Sequence, residues 1–378
     1  MAALNEEQTM IRDQAKSWIT EQAPVSQFRK MRDARVANSF VPTTWTAMVE
    51  MGWTGIIIPE EFGGSDLGYL TFGIVLEELG RQLTASPLFA SALAGASAVL
   101  LGGSMAQKQA VLPRIVDGTA ILSLAVDDGP RHGPENTSLQ ATISDSGYSL
   151  TGKKTLVLEG MVATHLVVSA RTSGNVGDRD GITMFLLPAD TKGISRSAMH
   201  TMDSRGYAQV SFDNVMVTMD SLLGGVGQGF AILDGTLDRA RAGLCAEMLG
   251  TGSQAFDMTL DYLKTREQFG KVIGSFQALG HRAAELYSAK ELARSCAEAA
   301  LQAIDNEADN VAERSSLAKA QVGEFLHRMS SQLIQIHGGI GMTDEFNAGL
   351  YLKRARVLET AYGNQAFHRD RYARLLGY

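Results

Sequence analysis

Apolar residues recur at helical spacing from Leu4 to about Gly118: Ile11, Ala15 and Trp18 form one stripe, and Phe72, Val75, Leu76 and Leu79 another. The run G-I-I-I-P-E-E-F-G-G at 55–64 interrupts this pattern, because Pro59 and Gly63-Gly64 force the chain to turn. From about Thr119 the period shortens. Runs around 120–126, 139–158, 164–170, 182–188 and 208–217 are β-rich and separated by Gly, Asp, Asn and Pro, with a turn expected at Asp145-Ser146-Gly147. This region reads as a small antiparallel sheet or barrel that ends near Gly224. After Gly229 long helical stripes return: Leu233, Leu237, Leu244 and Met248; Phe276, Leu279, Ala283 and Leu286; Val322, Phe325, Met329, Leu333 and Ile336. With a shorter segment ending near Leu376, these predict a four-helix bundle. The expected class is α+β: a helical domain over 1–118, an antiparallel β domain over 119–224 and a helical bundle over 225–378.

Composition narrows what such a chain does. At 378 residues and 45% hydrophobic content it exceeds what a single core supports. Its 34 basic and 41 acidic residues give a net charge of −7 without basic clusters, so neither nucleic acid nor an anionic membrane is an expected partner. Two cysteines, Cys245 and Cys296, are too few for a disulfide framework and read as small buried side chains in a reducing compartment. The opening residues lack a basic then apolar leader, and no stretch reaches the roughly 18 uninterrupted apolar residues of a membrane span. A cytoplasmic protein is expected. No metal ligands are assigned.

The glycine-rich G-G-V-G-Q-G at 224–229 invites a dinucleotide reading. That reading needs a parallel strand before the glycines and a βαβ unit around them, whereas here the glycines follow an antiparallel region, so it is rejected. The specific text lies further on: R-E-Q-F-G-K-V-I-G-S-F-Q-A at 266–278 and Q-I-H-G-G-I-G at 335–341. These strings resemble the signatures of the acyl-CoA dehydrogenase family, and the resemblance extends over essentially the whole chain. It implies FAD as cofactor, an acyl-CoA substrate, an oligomer and an electron-transferring flavoprotein as acceptor. Carried over residue by residue, it points to Arg266, Glu267, Gln268, Phe269, Phe276 and Gln277, and to Gln335, Ile336, His337, Gly338 and Gly339, as flavin contacts across a subunit interface. The chemistry agrees: a guanidinium is a charged fork for a pyrophosphate, and paired glycines let backbone amides approach an anion or ring.

The same resemblance exposes a gap. The family removes the α-proton of the thioester with a carboxylate, a contribution of typically ~10²–10⁴-fold. Most members carry that glutamate in a Tyr-Glu-Gly-Thr string after an Arg-Asp-Ala-Lys-like stretch. Here K-R-A-R-V-L-E-T-A-Y-G-N at 353–364 puts Tyr362 in its place, and a phenol with pKa near 10 is a poor base at neutral pH. The alternative position, before an arginine in L-D-R-A-R at 237–241, holds Ala240. Glu247 follows Ala240 by seven residues, about 20° around the helix and about 10 Å along it, and is the remaining candidate base, with Glu359 behind it. Its other reading is a polar group serving a neighbouring helix. Asp238 and Arg241 match substrate-side positions, or else form a structural ion pair. In the β region L-V-L-E-G at 156–160 replaces the family's Trp-Ile-Thr-Asn-Gly, so Leu158 has no hydroxyl for the flavin, and V-D-D-G-P-R-H-G at 126–133 replaces another flavin-contacting string.

L-C-A-E-M-L-G at 244–250, Y-L-K-T-R-E-Q-F-G at 262–270, S-F-Q-A-L at 275–279 and H-G-G-I-G-M-T-D-E at 337–345 are similar to small subunits of two-component acyl-CoA dehydrogenases of the pimeloyl-CoA type. Such a chain relies on a second dehydrogenase subunit for the base. A self-sufficient homo-oligomer with a relocated base or a variant reaction, and a non-catalytic CoA-binding scaffold, stand as alternatives.

Overall fold

The computed structural model of the chain describes residues 4–36, 39–144 and 147–378; the turn expected at Asp145-Ser146 lies outside them. The three consecutive regions group into two compact units, each drawn from separate stretches of sequence. One gathers the segment up to Lys30, Tyr69–Thr84 and Arg241–Tyr378; the other comprises Met31–Gly68 and Ala85–Ala240.

In the first unit, α1 (Glu6–Gln22) begins at Asn5, whose side chain accepts from the Gln8 amide while the Gln8 side chain returns to the Asn5 amide. The helix α2 (Val25–Asp33) follows. After α3 (Pro42–Glu50) in the second unit, α4 (Gly68–Arg81) rejoins the first. It is apolar nearly all round, with Phe72, Val75, Leu76 and Leu79 buried, so it needs cover on several sides. The long helices α7 (Phe230–Thr265), α8 (Gln277–Asp305) and α9 (Val311–His337), with α10 (Ala348–Thr360) and α11 (Gln365–Leu375), provide it. Asp305, the last residue of α8, caps α4 by accepting from the Tyr69 and Leu70 amides at 2.6 and 2.9 Å. Along its length α4 meets α7 backbone to backbone. A Cβ at Gly80 would stand 2.2 Å from the Glu247 carbonyl oxygen, and one at Gly250 would stand 1.8 Å from that of Glu77. This crossing draws α4 into the bundle. The expected bundle is present with α9 packed on α8, α10 and α11, but its last segment is two helices, broken where Tyr362 and Gly363 take φ of 53° and 107°.

The second unit also holds α5 (Ala96–Gly102) and α6 (Met105–Val116). Its sheet comprises β1 (Leu122–Ala125), β2 (Gln140–Ser144), β3 (Gly147–Leu158), β4 (His165–Arg171), β5 (Ile182–Pro188), β6 (Ile194–His200), β7 (Gly206–Thr218) and β8 (Leu222–Leu223). The strand order is β6-β7-β3-β2-β4-β5-β8, with β1 beside β4. The wholly antiparallel expectation is corrected. β1 runs parallel to β4, and β2 meets β4 at one parallel pair, because both partners are separated in sequence by other elements instead of by a hairpin turn. The 55–64 run forms two 3₁₀ turns, Trp53–Gly55 and Glu60–Phe62, around buried Ile56, Ile57 and Ile58. The glycines at 224–229 link β8, antiparallel to β5, to α7, which upholds the rejection of a dinucleotide loop.

Buried cations fasten this unit. Lys154 lies 2.6 Å from Asp128 and donates to the Val126 carbonyl and the Ser169 hydroxyl, both at 3.0 Å. Arg171 donates to the carbonyls of Thr137, Glu135, Asp178, Asp180 and Ser173 at 2.8–3.3 Å, closing the loop after β4.

Gly250→Ala is expected to cost about 1–3 kcal/mol, since the helices must part to admit the methyl group. Gly349→Ala on α10, where a Cβ meets nothing within 4 Å, is expected to gain about 0.5–1 kcal/mol. Urea unfolding midpoints check both, and equal midpoints would contradict the crossing.

Candidate functional site

The first string folds as a hairpin at the end of α7. β9 (Glu267–Gln268) pairs with β10 (Lys271–Val272), and Phe269 and Gly270 between them have φ of 52° and 78°, the left-handed pair that a tight two-residue turn needs. Phe269 is 92% exposed and stands edge-on to Phe276 at 6.2 Å, while Lys271 covers the Phe276 ring at 4.4 Å. Arg266, Glu267, Gln268 and Gln277 are all exposed.

The second string ends α9. Gln335 is exposed; Ile336 is buried in a small cluster with Leu263 and Ile273, against which Phe276 packs. His337 stacks on Tyr262 at 4.3 Å, and its Nδ1 donates to the Leu333 carbonyl at 2.8 Å. Its Nε2 is buried without a hydrogen-bond partner, and burial lowers the imidazole pKa below its ordinary value. Gly338 adopts φ 61° and ψ −134°, a conformation open essentially to glycine alone. A Cβ at Gly338 or Gly339 would meet nothing within 4 Å, so the backbone there faces open space. The structure therefore brings the strings together through Leu263, Ile273 and Ile336, and leaves Arg266, Phe269, Gln335 and the two glycines exposed.

The expected substrate-side and base residues are arranged differently. Ala240, Asp238 and Arg241 are buried, at 0%, 4% and 0% exposure. Arg241 points inward: its Nε donates to the Tyr362 carbonyl at 3.2 Å and its guanidinium lies 5.6 Å from the Phe367 ring. It serves the turn between α10 and α11. His368 Nε2 donates to the same carbonyl at 3.0 Å. Lys319 on α9 donates to the carbonyls of Leu358, Glu359 and Gly363 at 3.1, 3.1 and 2.9 Å; burial lowers its pKa to about 8 and raises that of nearby Cys245 to about 12.

Glu247 is held by Arg354, whose Nε and Nη2 reach Oε1 at 3.0 and 2.6 Å, with both side chains over nine-tenths buried. Arg354 stands where the family's Arg-Asp-Ala-Lys stretch has its aspartate. A buried guanidinium there requires a carboxylate, and Glu247 supplies it. Glu359 is likewise engaged, accepting from Arg356 and Gln365 at 2.8 and 3.0 Å, with His327 Nδ1 3.0 Å away. In the β region Leu156 sits in a bulge of the β3–β7 ladder with φ 52°, partly exposed and able to cover a ring, while neither it nor Leu158 offers a side-chain donor.

A cavity of about 550 Å³ in the first unit was not foreseen. Glu77, Glu78, Arg81, Asp257 and Arg294 line it, with Arg294 bidentate on Glu77 and Arg81 on Asp257. The string E-E-L-G-R at 77–81 carried its signal, but no sequence rule says what such charges face. Lys319 and Arg354 also escaped notice, because buried cations read as surface charges until their carbonyl and carboxylate partners are seen.

Comparison with known proteins shows the family. Residues 5–119 match the acyl-CoA dehydrogenase N-terminal domain, 127–215 the middle domain and 227–377 the C-terminal domain. The probable acyl-CoA dehydrogenase YngJ of Bacillus subtilis is 30% identical over 99% of this chain and 98% of its own length. The chain belongs to the acyl-CoA dehydrogenase family. The caffeyl-CoA reductase–Etf complex subunit CarC of Acetobacterium woodii is 28% identical over 93% of both chains. Among solved structures, the steroid ACAD Tcur3481-Tcur3483 superimposes with a TM-score of 0.89 at 29% identity, covering 98% of each chain.

An acyl-CoA dehydrogenase is an FAD enzyme, and the residues here fit that group unevenly. The hairpin and the end of α9 fit: an exposed arginine fork, open glycine backbone, exposed aromatic rings and the orphaned His337 Nε2 suit a pyrophosphate and ring system. The β region fits poorly. Leu158 donates nothing, and the loop replacing the family string is pinned by Asp127 to His132 at 2.9 Å and by Asp128 to Lys154 and the Ser138 amide.

Glu247→Gln removes the carboxylate that Arg354 grips and is expected to lower stability by about 3–5 kcal/mol, while Glu247→Leu with Arg354→Met restores most of it. If Glu247→Gln instead abolished flavin reduction by substrate at unchanged stability, the carboxylate would be the base. Acid should also destabilise the protein. Burial, reinforced by Arg241 and Lys319, lowers the pKa of His368 below the ordinary 6.5, and its Nδ1 has no partner. Below pH 6.5 the unfolded chain takes up a proton that the folded one refuses, so stability falls by up to about 1.4 kcal/mol per pH unit. Unfolding free energies between pH 7 and 5 test this, and His368→Gln should flatten the slope.

Proposed function

We propose that this chain is the base-deficient smaller component of a two-component, FAD-dependent acyl-CoA dehydrogenase, resembling pimeloyl-CoA dehydrogenase small subunits and working in the cytoplasm. The observation that carries the reading is the state of the base positions. Tyr362 and Ala240 occupy both, and the nearby carboxylate Glu247 is committed to Arg354. The flavin strings are nevertheless intact and displayed on an exposed surface, as suits a site that a second chain covers. The names of CarC, a subunit of an Etf complex, and of the paired Tcur3481-Tcur3483 enzyme support an assembly of unlike chains with an electron-transferring flavoprotein as acceptor.

Bound FAD supplies the acceptor for the hydride leaving the acyl β-carbon. This chain's part is binding and placement. Arg266 holds the pyrophosphate, Gly338 and Gly339 present amides, Phe269 and Phe276 cover ring faces, and Gln268, Gln277 and Gln335 offer amide hydrogen bonds, with Glu267 and Ile336 flanking them. The partner contributes the carboxylate that takes the α-proton and the ring contacts that Leu156 and Leu158 do not provide.

The test is anaerobic addition of a saturated acyl-CoA to the purified chain, alone and co-expressed with a glutamate-bearing dehydrogenase chain. Flavin bleaching is expected only in the mixed assembly, where Arg266→Ala should weaken flavin binding by about 10–100-fold. Bleaching by the chain alone would establish a self-sufficient enzyme. Absence of flavin from every preparation would leave a CoA-binding scaffold.

A further inference from the structure

We infer that Lys319 is a positioning residue: together with Arg241 and His368 it fixes the turn Leu358–Gly363, so that residue 362 meets the acyl group in one conformation. The inference rests on the reading above, in which Tyr362 stands at one of the family's base positions. Tyr362 has a φ of 53°, a left-handed value that costs a bulky residue of order 1–3 kcal/mol and persists only where the surroundings over-determine it. They do so here. Four carbonyls of the turn, those of Leu358, Glu359, Tyr362 and Gly363, accept from Lys319, Arg241 and His368, which come from α9, α7 and α11 and are at most 1% exposed.

Three features separate this arrangement from ordinary packing. A lysine ammonium taken wholly out of water is expensive, and an apolar side chain of similar size would fill the space at lower cost. All three Lys319 bonds go to backbone, and the nearest carboxylate, Glu359, is already held by His327, Arg356 and Gln365. The charge sits beside the last carbonyls of α10, where the helix end is negative and a cation is favoured. Because the clamp grips backbone, it places whatever side chain stands at 362.

The test compares wild type, Lys319→Met and Lys319→Arg in the flavin-loaded assembly, by hydrogen exchange and by flavin reduction. Lys319→Met is expected to lose about ten-fold or more of the amide protection in 358–364, with α8 and the sheet unchanged. Lys319→Arg keeps the charge, but a planar fork cannot aim three donors from one atom, so a smaller loss confined to the same segment is expected. The reduction rate should fall about ten-fold with the half-saturating acyl-CoA concentration unchanged, a loss confined to the reacting geometry. Should Lys319→Met fail to fold, Lys319→Arg decides. Exchange at 358–364 within about two-fold of wild type, or protection lost evenly across the bundle, overturns the inference. Exchange needs no turnover, so an assembly that never bleaches would refute the proposed function and leave this question to the exchange data.

Discussion

A positive charge removed from water must find oxygen lone pairs, and much of this molecule is arranged around that requirement. Lys154 and Arg171 gather carbonyls and Asp128 in the sheet unit, and Lys319, Arg241 and Arg354 do so in the helical unit. Each sits where the backbone leaves a regular element and its carbonyls lose their partners, or where a neighbouring helix offers a carboxylate. A cation at such a place joins several chain segments through one atom or one planar fork, which apolar packing cannot do with equal directionality.

The same requirement accounts for the most misleading residue in the sequence. Glu247 looked like a displaced base because it follows Ala240 by seven residues, on nearly the same face of α7. The α4–α7 crossing at Gly80 and Gly250 and the placement of α10 make it the counter-charge of Arg354. Glu247 and Arg354 thus balance one another inside the bundle.

At the other end of the bundle the balance is reversed. The hairpin after α7 and the glycines after α9 hold rings, amides and a guanidinium in place on a small apolar cluster, then leave them uncovered. Phe269, locked at a hairpin tip and almost fully exposed, costs the isolated chain apolar exposure that a covering surface would relieve.

By itself the sequence determined the order of helical and β regions, the family and its two signature strings, because period, turn chemistry and contiguous motifs are local along the chain. Strings such as Arg266–Gln277 and Gln335–Gly339 carry their geometry with them as a tight hairpin and a helix end. Tyr362 and Ala240 at the base positions were equally legible, since a missing group needs no partner to be noticed. Only the tertiary structure decided that α1 and α4 belong with the C-terminal bundle, that β1 lies parallel to β4, that Arg241 faces the Tyr362 turn, and that Glu247 answers Arg354. Each of those depends on a partner distant in sequence, and neither a crossing permitted by two glycines nor a lysine ringed by three carbonyls leaves a periodic trace in the chain that encodes it.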